Sequence, residues 1–87
     1  MSFILHYSFN WDGGGQERDT AAAAIKSVFP DCTLDIQGAN TNPIEVRITN
    51  ADGTLIWKAS QKKLFKKYKK DRTAAIAAIK AAMSKLK

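Results

Sequence analysis

The order of the hydrophobic patterns is the feature that most constrains how this chain of 87 residues folds. Three runs alternate apolar and polar residues, as half-buried strands do, and a fourth, TLIWK at 54–58, reads as a strand that is apolar on both faces. Two further runs repeat apolar residues at the spacing of an amphipathic helix. Their order along the chain is β-α-β-β-β-α. The first strand–helix–strand unit predicts a parallel pair, and the turn signal Asn50-Ala-Asp-Gly53 predicts an antiparallel hairpin. We therefore expect an α/β fold with a four-stranded mixed sheet and two helices.

Element boundaries follow from the same patterns and from residues that stop helices. The predicted strands cover residues 3–9, 32–36, 44–49 and 54–58, and residues 37–43 form a loop by composition. The first helix begins near Gln16 and ends before Pro30, which cannot continue a helix. Asp71 is the expected N-cap of the second helix. Its apolar stripe consists of Ile76, Ile79, Met83 and Leu86.

The small size of the chain limits what it can hold. A chain this short supports one modest core, so we expect a single domain spanning residues 1–87. No stretch approaches the roughly 20 apolar residues of a membrane span, and the N-terminus lacks the features of a signal peptide. The expected location is intracellular, in the cytoplasm or alternatively the nucleus. With one cysteine and one histidine, we expect no disulfide, metal or cofactor.

Charge is distributed unevenly along the chain. Residues 1–57 hold 3 basic and 7 acidic residues, a net charge of −4, whereas residues 58–87 hold 11 basic and 1 acidic residue, a net charge of +10. The two parts together account for the overall charge of +6. Such asymmetry favours an acidic partner for the C-terminal part.

Five motifs, in their order and spacing, carry a resemblance to a known family. They are FPDCTLDI at 29–36, IEV at 44–46, DGTLIW at 52–57, Lys62-Lys63, and AAIAAIKAAMSKL at 74–86. Together they resemble the selenoprotein W group, whose third and fourth strands carry the pattern FEV…DGxxIW. The resemblance implies a thioredoxin-like fold and agrees with the element order above. Selenoprotein H, a basic nuclear relative, is a second protein that the lysine-rich segment resembles.

The resemblance also implies a redox site after the first strand, with the motif Cys-x-x-Cys or Cys-x-x-selenocysteine. Counting back from Phe29-Pro30 places this pair at Ser8 and Trp11, and aligning on His6 places it at Tyr7 and Asn10. None of these positions holds a cysteine. Thiol–disulfide exchange requires an attacking thiolate and a second sulfur, so we expect no catalytic residue here and no enzyme of the family's kind.

Other features around this loop have two interpretations each. Asp12-Gly-Gly-Gly15 precedes a helix and is either an anion site or a turn, although no phosphate-loop lysine follows. His6 and Ser8 are either a nucleophile and its base or two polar residues on one strand face. Trp11 either contacts a partner or covers the edge of the core.

The run KKLFKKYKK is the strongest positive signal in the chain, with six lysines in nine residues. On a helix, Leu64 and Tyr68 would share a face. The polyanion-binding candidates are Lys62, Lys63, Lys66, Lys67, Lys69, Lys70, Arg72, Phe65 and Tyr68. Lysines interleaved with aromatic rings suit the binding of nucleic acid or of an anionic lipid surface. The alternatives are a nuclear localisation signal and a solubilising loop whose aromatic residues cap the core.

Three functions therefore remain open at this point. The first is a non-redox binding protein on a selenoprotein W-like scaffold, which contacts a protein partner through the YSFNWDGGG loop and the lysine run. The second is binding of nucleic acid or another polyanion through residues 62–72. The third is a residual redox role for the thiol of Cys32, whose alternative role is that of a small buried apolar residue.

Overall fold

A computed structural model describes residues 1–10 and 12–87 of the chain. It contains four strands and two α-helices in the order β-α-β-β-β-α. Their bounds are β1 Ser2–Ser8, α1 Gly15–Val28, β2 Thr33–Ala39, β3 Glu45–Asn50, β4 Leu55–Ser60 and α2 Lys69–Ser84. Two short 3₁₀ helices, Asp12–Gly14 and Gln61–Leu64, precede α1 and α2. The predicted element order and α/β class are confirmed, and the layout is that of a thioredoxin-like fold.

The strands form one mixed sheet in the order β2-β1-β3-β4. β1 and β2 are parallel in register from Ser2 beside Thr33 to Ser8 beside Ala39. β3 is antiparallel to both β1 and β4. The turn between β3 and β4 places Gly53 at φ 91°, and Asp52 accepts the backbone N–H of Thr54 at 2.9 Å. The predicted parallel pair and the predicted hairpin are therefore both confirmed.

One face of the sheet and both helices enclose the core. Alternation places Phe3 and Leu5 of β1 on the same face, and both are buried. The other buried apolar members of this cluster are Ala21, Ala24, Ile25, Val28, Cys32, Val46, Ile48, Leu64, Ala75, Ile79 and Met83. Of the predicted stripe on α2, Leu86 lies beyond the end of the helix and is exposed. Across the described residues, no helix combines the length and the apolar character needed to cross a membrane.

β2 is longer than the sequence pattern predicts. The sequence pattern predicts a strand end at Ile36 and a loop over residues 37–43, but β2 continues to Ala39. Its parallel neighbour is the reason, because β1 pairs with β2 over seven residues and the N–H of Phe9 donates to the carbonyl of Ala39 at 3.1 Å. Tertiary pairing here overrides the loop-like composition of Gln37 and Gly38.

The lysine-rich run is not one continuous helix. The 3₁₀ helix ends at Leu64, and Phe65 is extended at φ −65° and ψ 133°. Leu64 is therefore buried while Tyr68 is exposed, and the two do not share a helix face. The predicted N-cap Asp71 is also wrong, since α2 begins at Lys69 and the N–H of Arg72 donates to the carbonyl of Tyr68 at 2.8 Å. Asp71 lies instead in the first turn, where a carboxylate suits the positive helix end.

Candidate functional site

Ser8 ends β1 at the position where the family resemblance implies a redox residue. Its side chain is fully buried. The hydroxyl donates to the carbonyl of Thr41 at 2.9 Å and accepts the N–H of Asn10 at 3.2 Å. Because both its donor and its acceptor are occupied by backbone groups, this hydroxyl ties the two neighbouring loops together.

Gln61 completes the closure of this position from the other side. Its Oε1 accepts the N–H of Ser8 at 2.9 Å, and its Nε2 donates to the carbonyl of Ser8 at 2.8 Å. The same Nε2 lies 3.2 Å from Oε1 of Glu17 in the first turn of α1. Gln61 is fully buried and Glu17 nearly so. Among the described residues every buried side-chain polar atom has a partner, as a stable buried network requires.

Two glycines turn the chain from β1 into α1. Gly13 and Gly14 have φ values of 74° and 66°, in the left-handed region. A Cβ at Gly14 would overlap the carbonyl oxygen of Ser8 and lie 2.9 Å from Nε2 of Gln61. The glycine-rich stretch therefore lets the helix start approach the strand end. Glu17 lies in the first turn of this helix, where its side chain accepts a hydrogen bond from Gln61.

The remaining positions from the two redox alignments have structural contacts. The ring of Tyr7 lies against Gly38, where an added Cβ would come within 2.9 Å of Cζ, and the Arg18 guanidinium lies 5.6 Å from the ring centroid. Nδ2 of Asn10 donates to the carbonyl of Thr41 at 3.1 Å. Trp11, for which two roles were predicted, lies outside the described residues.

His6 does not form a nucleophile–base pair with Ser8. Its Nε2 lies 3.1 Å from Oγ1 of Thr49, whereas the hydroxyl of Ser8 donates to the carbonyl of Thr41. Burial lowers the pKa of His6 below its ordinary value of 6.5, and the positive charge of Arg47 lowers it further. The interpretation as two polar residues on the strand is the one that the geometry supports. Within the described part of the chain, no group of three or more histidine, cysteine, aspartate or glutamate residues could hold a metal ion.

The lysine-rich segment begins beside this closed position. Gln61 and Leu64 anchor the 3₁₀ helix in the core, which leaves Lys62 and Lys63 exposed. Lys66, Lys67, Lys69 and Lys70 follow and are also exposed. Together these six lysines form the basic surface of the protein. Lys62 lines the same cleft, of about 380 Å³, as Asn10 and Pro43. The basic surface and the loop after β1 are therefore neighbours.

Two aromatic rings lie within the basic surface. Phe65 and Tyr68 stack with their planes 10° apart and their centroids at 6.0 Å. Nζ of Lys67 lies 5.9 Å from the Phe65 centroid and 5.2 Å from the Tyr68 centroid, within reach of a cation–π interaction. Phe65 is half-buried, whereas Tyr68 is 44% exposed. One ring therefore contacts the fold and the other presents a surface to solvent.

Arg72 differs from the lysines among which it was predicted to act. Its Nη2 donates to Oγ1 of Thr20 at 3.1 Å, and the residue is half-buried between the two helices. By contrast, Lys63, Lys66, Lys67, Lys69 and Lys70 form no ion pair with a carboxylate among the residues the structure describes. The structure therefore assigns Arg72 to helix packing and leaves these five charges available to a partner.

Cys32 lies at the opposite end of the sheet from the loop. Thr33, the next residue, pairs with Ser2 at the start of β1, whereas the loop follows Ser8 at its end. A strand of seven residues separates the two by about 20 Å. Cys32 is 7% exposed and belongs to the core cluster. This position matches the role of a small buried apolar residue.

Gln61 is the residue that sequence reasoning missed. It follows β4 directly and precedes the lysine run, and nothing in its local sequence distinguishes it from a surface glutamine. Its role depends on Ser8, which lies 53 positions earlier.

Comparison of the chain with protein-family models, curated proteins and solved structures finds no match.

Proposed function

We propose that the protein is a non-redox binding protein on a selenoprotein W-like scaffold, and that it acts by contact with an acidic protein partner. The contact surface is the basic surface together with the adjoining loop after β1. The observation that carries this proposal is the set of five exposed lysines without a carboxylate partner among the described residues, placed next to a loop without sulfur.

The closure of the implied redox position supports the non-catalytic part of the proposal. Ser8 is fully buried, and its hydroxyl and both its backbone polar groups are engaged by Thr41, Asn10 and Gln61. A nucleophile needs an accessible atom and an activating base, and neither is present at this serine. The one thiol lies in the core at the other end of the sheet.

The density of positive charge supports an acidic partner. Residues 61–72 hold seven basic residues and one acidic residue, a net charge of +6 within twelve positions. Mutual repulsion of neighbouring lysines is relieved when a negatively charged surface is bound. The anchoring of Gln61 and Leu64 holds the start of this segment at a fixed place beside the loop.

Charge neutralisation at two places in the chain tests the contact surface. One variant replaces Lys66, Lys67 and Lys69 by Gln, and its matched control replaces Lys80, Lys85 and Lys87, which are also exposed. Both variants change the net charge from +6 to +3. With fluorescent polyglutamate as the probe, we expect the first variant to lose most of its affinity and the control to retain it. Equal losses would show that net charge alone, and not this surface, attracts the probe.

A separate assay tests the non-redox part. The protein should give no turnover in insulin reduction or in glutathione-dependent peroxide reduction. Clear turnover that survives purification and disappears in Cys32→Ser would refute the proposal and favour a thiol activity at Cys32.

Nucleic-acid binding is a second candidate, favoured by the exposed ring of Tyr68 beside Lys67. Bases stack on such rings while lysines contact phosphates. Binding to single-stranded oligonucleotides should then weaken with salt by about 0.7 in log K per log salt for each phosphate contacted. Weak, equal binding to single and double strands that vanishes at about 0.1 M salt would contradict this candidate and reduce the interaction to nonspecific charge.

A further inference from the structure

β2 forms one edge of the sheet, with β1 as its neighbour on one side. It is seven residues long, in register with β1 throughout, and six of its residues are exposed. Charged residues, lysine above all, and proline commonly protect an edge strand from pairing with another chain. β2 contains no proline and no lysine, and its one charged residue is Asp35, which accepts a hydrogen bond from Gln37 of the same strand. We propose that β2 is a self-association edge, through which two copies of this chain pair antiparallel into one eight-stranded sheet.

The outward-facing groups of β2 follow from its bonds to β1. The N–H of Thr33 donates to the carbonyl of Met1, and the carbonyl of Ala39 accepts from the N–H of Phe9. The backbone polar groups of Thr33 and Ala39 are therefore directed toward β1. Backbone polar groups alternate in direction along a strand, so Leu34, Ile36 and Gly38 direct their N–H and C=O groups outward. These six groups form no backbone hydrogen bond with the residues that the structure describes.

An apolar strip runs along the same edge. Leu34 packs against the core, and alternation places Ile36 on the same face of the sheet. Gly38 is the next position on this face and leaves it open, since it has no side chain. Phe9 covers Gly38, since an added Cβ there would lie 3.1 Å from its Cδ2. Ile36 is 44% exposed and Phe9 47% exposed. A second strand added at this edge would cover both apolar side chains and remove them from water.

The sequence of β2 is complementary to itself about Ile36. In an antiparallel pair centred there, Ile36 exchanges both backbone hydrogen bonds with Ile36 of the second copy. Leu34 then lies opposite Gly38, beside the covering Phe9 ring, and Asp35 lies opposite Gln37. A glutamine amide donates well to a carboxylate, as Gln37 already does to Asp35 within the strand at 2.9 Å. No like charges face each other directly in this register.

The other edge of the sheet does not offer the same surface. β4 has an irregularity in its pairing with β3, between Ile48 and Thr49, and it carries Lys58. It also leads directly into the basic surface, so two copies pairing at β4 would bring like charges together. The β2 edge lies across the sheet from this charge, which makes a second copy the occupant that fits β2.

Sedimentation velocity from about 1 µM to 1 mM tests the proposal. We expect the mass to rise from 9.6 kDa to twice that value with concentration. Ile36→Lys should remain monomeric, because it places two ammonium groups opposite each other. Leu55→Lys is the matched control, with 49% exposure on the opposite edge strand, and it should still dimerise. A wild-type protein that stays monomeric throughout, or an Ile36→Lys variant that dimerises like the wild type, would overturn the proposal.

Disulfide trapping tests the register without relying on a destabilising charge. Opposed residues of a hydrogen-bonded antiparallel pair have Cα atoms about 5.5 Å apart, within the range of a disulfide. Under mild oxidation Ile36→Cys should form a covalent dimer, whereas Asp35→Cys, which faces Gln37, should not. The wild type, with only buried Cys32, serves as the background. Failure of Ile36→Cys to cross-link, or equal cross-linking of both variants, would refute the β2 pairing.

Discussion

The side-chain amide of Gln61 forms hydrogen bonds with both backbone polar groups of Ser8. It accepts the N–H of Ser8 at 2.9 Å and donates to the carbonyl of Ser8 at 2.8 Å. This arrangement imitates the pairing of one further strand residue at the end of β1. It also fixes the start of the lysine-rich segment against the loop after β1. Ser8, one of the positions at which the family resemblance implies a redox residue, is thus held in a structural contact.

Removal of the Gln61 side chain should destabilise the protein markedly. Gln61→Ala leaves the N–H and the carbonyl of Ser8 buried without their partner, at about 1–3 kcal/mol each, so we expect a loss of about 2–5 kcal/mol in the free energy of unfolding. Urea denaturation measures it. Gln16→Ala, at an exposed glutamine in the first turn of α1, is the control and should change stability by less than about 0.5 kcal/mol. Similar effects of both substitutions would contradict the role assigned to Gln61.

The two left-handed glycines should differ in their tolerance of alanine. Gly13→Ala meets no atom within 4 Å, so only its φ of 74° is unfavourable, at about 1–2 kcal/mol. Gly14→Ala adds an overlap with the Ser8 carbonyl and crowds Gln61, so its cost should be clearly larger. Thermal unfolding of both variants compares them directly. A Gly14→Ala protein as stable as Gly13→Ala would show that the strand end and helix start are not in close contact.

The exposed ring of Tyr68 should matter for single-stranded nucleic acid if that candidate is correct. Tyr68→Ala should weaken binding of a single-stranded oligonucleotide by about 1–3 kcal/mol, because one stacked base loses its platform. Tyr68→Phe keeps the ring and should retain the affinity. Fluorescence anisotropy at constant salt measures all three proteins. Equal affinity of Tyr68→Ala and wild type would limit the interaction to phosphate contacts by lysines.

Stability should depend on pH through His6. Burial and the nearby Arg47 lower its pKa in the folded state below 6.5, so the folded protein holds fewer protons on this ring than the unfolded chain. The contribution of neutral His6 to the free energy of unfolding is therefore fully present above pH 6.5 and is lost as pH falls through the lowered pKa of the folded state. His6→Gln should show a flatter stability profile between about pH 8 and pH 5. Parallel profiles for both proteins would contradict this assignment.

The thiol of Cys32 should react slowly in the folded protein. With 7% exposure, it becomes accessible only when the core opens locally. Ellman's reagent should therefore label native protein far more slowly than protein in denaturant. Fast stoichiometric labelling of the native protein would contradict the buried position and would support a redox role for Cys32.

The fold followed from the sequence because its determinants are local. The alternation of Phe3, Leu5 and Tyr7, and the helical spacing of Ile79 and Met83, depend on neighbours a few positions away. The hairpin between β3 and β4 was predictable for the same reason, since its turn lies within Asn50–Gly53. The absence of sulfur from the loop after β1 is likewise a property of the sequence alone.

The tertiary structure decided what these segments do at the site. The extension of β2 to Ala39 required a parallel neighbour, and the separation of Leu64 from Tyr68 required a core into which Leu64 could insert. The role of Gln61 required Ser8, which lies 53 residues away. Local patterns carry no information on such distant partners. A buried polar group is stabilised only by the atoms that folding brings beside it, so these contacts exist only in the folded chain.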